Sequence, residues 1–130
     1  MNKHNIFRNS FDKDGYVVER YKDGSRSGEG RYIEGKKCGW WIAYHPNGTK
    51  ASEGEYKNGL QEGVWCYWGD NGSLSAVAEL KNGLSHGRIT YWTWNENEHK
   101  VSKIEEYNNG VLSSVCILKN GLLEKEPNGN

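Results

Sequence analysis

Six glycines, Gly24, Gly35, Gly48, Gly59, Gly72 and Gly83, follow one another at intervals that alternate between a shorter and a longer step, 11 then 13. This spacing constrains the fold more than any other feature. It defines a repeat with two turns in each copy, whose period is the distance from Gly24 to Gly48 and again from Gly48 to Gly72. Asn or Asp precedes most of these glycines, as in Asp23-Gly24, Asn47-Gly48, Asn58-Gly59, Asn71-Gly72 and Asn82-Gly83, and again in Asn109-Gly110 and Asn120-Gly121. Such pairs adopt positive φ at low cost, which tight hairpin turns require. Between them lie short runs rich in Tyr, Trp, Val and Ile, the residues of strands. The expectation is one all-β domain over residues 1–130, an elongated antiparallel meander of about nine short strands. A repeat of this kind presents a surface more readily than a catalytic pocket.

Three copies align, about 28–48, 54–72 and 78–96, with a degenerate fourth over 105–121 and a tail, 124–130, expected to fray. The second copy shows the pattern best: Gly54, Tyr56, Gly59, Gly63, Trp65, Tyr67 and Trp68. The first gives Gly30, Tyr32, Gly35, Gly39, Trp41 and Tyr44, and the third Ala78, Leu80, Gly83, Gly87, Ile89, Tyr91 and Trp92. In the fourth, Ser114 and Cys116 stand where Gly and Trp are expected. Three extra residues fall near Trp94–Lys100, where an irregular loop is expected, and Phe11 to Tyr21 reads as a leading strand.

The pattern Gly-x-Tyr-x-x-Gly-x-x-x-Gly-x-Trp, followed by an aromatic and Asn-Gly, resembles the MORN repeat in its bacterial variant form. The resemblance spans roughly Gly28 to Gly121. It implies a hairpin-repeat fold and a non-enzymatic, protein-binding role. For a small stand-alone chain it implies an antitoxin or immunity protein that binds and neutralises a cognate toxin acting in the cytosol. Its other implication is a scaffold or a membrane-proximal interaction module. Leu80 for Tyr, Ile89 for Trp and the decayed fourth copy depart from the pattern.

Side-chain alternation assigns two faces. Gly30, Gly54 and Ala78, with Tyr32, Tyr56, Leu80 and Tyr107, belong to the packed face, joined by Trp41, Trp65 and Ile89. Glu55, Glu79, Lys57 and Lys81 belong to the other face, and so do Trp40, Tyr44, Trp68 and Trp92. Three arrangements follow, one of them a sheet that curls and covers these aromatics. The aromatics form a partner-binding stripe with a charged rim, extended by Trp94 in the insertion. Alternatively, a β-bulge after Trp41 and Trp65 turns the aromatics at 44, 68 and 92 back into the core.

Lys plus Arg and Asp plus Glu number 17 each, so net charge is zero. That is not the basic footprint of a nucleic-acid binder, and Lys36-Lys37 is too short a cluster for an anionic membrane. Mean hydropathy is -0.93, which rules out a deep core but not a thin stacked repeat. Met1 to Asp14 carries no apolar run, so a cytoplasmic location is expected. Cys38, Cys66 and Cys116 are odd in number and read as free thiols. His4, His45, His86 and His99 have no metal-ligand spacing, and no nucleophile or phosphate-loop motif occurs. The expectation is a monomer or small oligomer with no cofactor and no enzymatic activity.

Overall fold

The computed structural model describes residues 4–5, 14–95, 97–119 and 122–126. Among them the chain is all strand, eleven in one antiparallel sheet, each paired with its sequence neighbours. The nine expected strands are β2 (Gly15–Tyr21), β3 (Arg26–Ile33), β4 (Lys36–Tyr44), β5 (Lys50–Lys57), β6 (Leu60–Trp68), β7 (Leu74–Lys81), β8 (Leu84–Asn95), β9 (Glu98–Asn108) and β10 (Val111–Lys119). Two more flank them, β1 (His4–Asn5) and β11 (Leu122–Glu126). β11 occupies part of the stretch expected to fray, and residues 127–130 lie outside the described ones, as do 11–13 of the expected leading strand.

The turns are of two kinds, and they alternate. Glu34-Gly35, Asn58-Gly59, Asn82-Gly83 and Asn109-Gly110 have positive φ at both residues, the type I′ geometry that matches strand twist. At the opposite end the loops are longer, with positive φ only at Gly24, Gly48 and Gly72. There Asp23, Asn47 and Asn71 each accept a hydrogen bond from the backbone N–H two residues on. The alternating spacing of the glycines follows from strands of eight and nine residues in turn, with one more turn residue on the step that crosses the longer strand.

Each repeat also carries a wide bulge. Between Glu29/Ile42 and Arg31/Cys38 one residue of β3 faces three of β4, and β5/β6 and β7/β8 repeat this. Gly39, Gly63 and Gly87 supply the positive φ the bulge needs. In the fourth copy, where Ser114 replaces the glycine, the shift shrinks to the single residue Ser113.

The bulge drops an indole onto a glycine of the preceding strand. Trp41 covers Gly30 and Trp65 covers Gly54, each so closely that a Cβ there would overlap the ring. Both indole N–H groups donate to backbone, Trp41 to Arg31 O at 3.0 Å and Trp65 to Glu55 O at 3.1 Å. Tyr32, Trp41, Tyr56 and Trp65 then meet edge to face in a continuous row. With Val17, Ala78 and Ile89 these rings form the buried inner face. The third copy replaces Gly with Ala78 and Trp with Ile89, which remain paired across the strands, so a small-under-large contact is kept with different residues.

Candidate functional site

The inner face is packed largely by the repeat's own rings, and the outer face carries the remaining aromatics. Tyr44, Trp68 and Trp92 stay on it. Register shifts do occur beside all three, but the unpaired residues are Ala51, Ser75 and Ser102 on the partner strands. The aromatics are therefore not turned inward. They occupy matching positions on β4, β6 and β8, about 10 Å apart in the hydrogen-bonding direction. Trp94 lies two residues beyond Trp92 on the same face and is exposed.

The expected irregular loop near Trp94 is instead an extension of the β8–β9 hairpin. Pairing continues through Trp92↔Val101, Thr93↔Lys100, Trp94↔His99 and Asn95↔Glu98. A longer strand pair is the cheaper way to place the extra residues, because it satisfies their backbone groups. His99 faces both Trp92, at 6.3 Å between ring centroids, and Trp94, at 5.4 Å, while its Nε2 meets Leu74 O at 2.6 Å.

The remaining expected site residues sit apart from this row. Trp40 is four residues back along β4, about 13 Å from Tyr44, and pairs across to Glu55. Lys57 and Lys81 are exposed at the type I′ end. Glu79 is turned onto its own hairpin, where its carboxylate accepts the Arg88 N–H at 2.8 Å. Trp40 at 55% exposure and Trp94 at 54% are the most open indoles among the described residues. The structure thus joins Tyr44, Trp68, Trp92 and Trp94, and separates Trp40, Glu55, Glu79, Lys57 and Lys81 from them.

The neighbours of the row change along the stack. Around Tyr44, Arg26 lies over the ring at 4.5 Å and pairs with Glu29 at 2.6 Å. Around Trp68, Lys50 lies over the ring at 5.3 Å and pairs with Glu53. The equivalent positions beside Trp92 are Leu74 and Val77, and one repeat further Val101 and Ile104. The first two copies close their aromatic with an ion pair. The last two carry aliphatic side chains at those positions, leaving an apolar end of the face formed by Leu74, Val77, Trp92, Trp94, Val101 and Ile104. The signal is present in the sequence, in the register Arg26/Glu29, Lys50/Glu53, Leu74/Val77 and Val101/Ile104. It precedes the Gly-Tyr segment on which the copies align.

At the charged end Glu29 is the hub. It accepts hydrogen bonds from Tyr16 and, at 2.6 Å, from Tyr44. The Tyr16 hydroxyl, then Tyr44, and less strongly the Arg26 charge hold its carboxyl below the usual range. Burial, then the same carboxylate, pushes the Tyr44 phenol up to about 12. A carboxylate whose folded pKa is depressed stabilises the fold fully above the unfolded value, about 4.3, and stops doing so as pH falls through the folded value. The melting difference between wild type and Glu29→Gln should therefore be largest near pH 7 and shrink at about pH 3 in circular dichroism. A difference independent of pH would show that Glu29 acts by packing alone.

On the same face, burial and then Glu53 raise the pKa of the Cys66 thiol, which disfavours a reactive thiolate. Among the described residues no group of three or more His, Cys, Asp and Glu is placed to hold a metal ion, and no helix is long and apolar enough to cross a membrane. No protein-family model matches this chain, and no curated protein is similar to it.

Proposed function

We propose that the chain is a protein-binding module whose partner docks on the outer face, anchored by Trp92 and Trp94. The observation that carries this reading is the change along the row. Ion pairs cap the aromatics of the first two copies, whereas Leu74, Val77, Val101 and Ile104 occupy the corresponding positions on the strands flanking Trp92. Large aromatics in an apolar patch beside charged residues have the anatomy of a binding hot spot with a polar rim. A sheet hydrogen-bonded strand to strand loses little ordering entropy on binding, which favours tight inhibition. Together with the resemblance to MORN-variant proteins, this supports an antitoxin or immunity protein that neutralises a cognate cytosol-acting toxin.

The test is direct. Trp94→Ala should melt within a few degrees of wild type, because this indole is half exposed and removed from the inner core. It should nonetheless weaken partner binding by at least about 2 kcal/mol, roughly 30-fold, in isothermal titration. Unchanged affinity would remove the anchor. A concentration-dependent mass in ultracentrifugation, with no heterologous partner, would favour the self-assembling scaffold.

A further inference from the structure

The inner face is not filled everywhere. A cavity of about 130 Å³ remains near its β2–β4 end, walled by Trp41, Tyr56 and Trp65. Glu19, Ser27 and Lys37 also line it. Glu19 is 4% exposed, and its Oε2 accepts a hydrogen bond from the Tyr32 hydroxyl at 3.0 Å. Ser27 is equally buried, and its Oγ has no hydrogen-bond partner among the described residues. The Lys37 ammonium lies over Trp41 at 4.6 Å and over Tyr56 at 5.2 Å, and forms no ion pair with Glu19.

Each of these features is costly if the cavity serves only packing. The Glu19 carboxylate has one described hydrogen bond and no described cation to offset its lost hydration, and the Ser27 hydroxyl has no described partner at all. Opposite charges that share a cavity without meeting leave room for something between them. The volume is that of about four waters at ~30 Å³ each, and well below the ~300–1,000 Å³ of drug-sized sites. That matches a molecule of a few heavy atoms. A simple amine would suit Glu19 but would be repelled by Lys37, and a simple carboxylate the reverse.

We propose that this cavity binds a small zwitterion of the size of a short-chain α-amino acid, its ammonium on Glu19 and its carboxylate on Lys37. Ser27 then gains an acceptor or donor, and the aromatic walls shield one side of both ion pairs. The site lies on the face opposite the protein-docking row and does not depend on that reading.

The test uses the full chain labelled with ¹⁵N and the indole N–H signals of Trp41 and Trp65, both in the cavity wall. Glycine, L-alanine, L-serine and L-threonine are titrated separately at millimolar concentrations, with ethylamine and propionate as half-ligands. At least one amino acid should shift both signals saturably, and each half-ligand should bind at least about tenfold more weakly. Lys37→Met should weaken the amino acid by about tenfold, while Lys57→Met on the other face should not. Glu19→Gln should do the same as Lys37→Met; if it fails to fold, Lys37→Met carries the test alone. No saturable shift with any amino acid overturns the proposal. So does ethylamine binding as well as the amino acids, which would mark a site for a lone cation such as a partner's lysine.

Discussion

Gly54→Ala should lower the thermal midpoint by roughly 10 °C, an unusually large effect for one added methyl group. The backbone is not the reason, since Gly54 has no positive φ. The reason is Trp65, whose Cδ2, Cε2 and Cγ atoms would all lie under 3.0 Å from the new Cβ. The indole cannot step aside. It is 3% exposed, donates to Glu55 O, and sits between Tyr56 at 5.1 Å and Tyr67 at 6.4 Å. Overpacking a filled site usually costs about 1–3 kcal/mol, and the upper end applies where neighbours are pinned. Gly28→Ala is the control, because its Cβ would meet Ile42 O at an ordinary 3.4 Å. The chain also contains its own rescue, the Ala78 and Ile89 pair. Gly54→Ala combined with Trp65→Ile should be less damaging than the two changes summed, by about 1–3 kcal/mol. Strict additivity would mean that ring and glycine do not compete for one space.

Trp65→Ala should be comparably severe, about 3–5 kcal/mol, read as a drop in the circular dichroism melting midpoint. The indole packs edge to face against Tyr56 of its own copy, and Tyr56 in turn meets Trp41 of the preceding copy at 6.3 Å. Removing it opens a cavity over Gly54, which has no side chain to fill it, and deletes the indole's hydrogen bond to the Glu55 carbonyl. In a stack where each copy leans on the next, loss at the central copy is not confined there. A midpoint shift of only a degree or two would show that the inner face is not the core.

The fold is legible in the sequence because its determinants are local. Asn58-Gly59 or Asn82-Gly83 specifies a turn whatever surrounds it, and period-two alternation then places Trp41, Trp65 and Ile89 on one face. The outer face is legible by parity, but the order on it is not. Whether Tyr44, Trp68 and Trp92 stay outside depends on which strand of each pair carries the extra residue, and Ala51, Ser75 and Ser102 have no glycine to mark it. The insertion near Trp94 reads as a loop because its length breaks the repeat. Its cross-strand pairing with His99 is a choice of register that spacing does not encode. The cavity beside Glu19 is illegible altogether, since it depends on Lys37 reaching over two rings.

The measurement that bears most directly on the docking reading is affinity capture of the tagged chain from its native host, run in parallel with Trp92→Ala/Trp94→Ala and quantified by mass spectrometry. The account predicts one stoichiometric protein partner that is retained by wild type and lost by the double variant, while both proteins give the same circular dichroism melt within a few degrees. A partner held equally by both, or no stoichiometric partner with wild type, would contradict it.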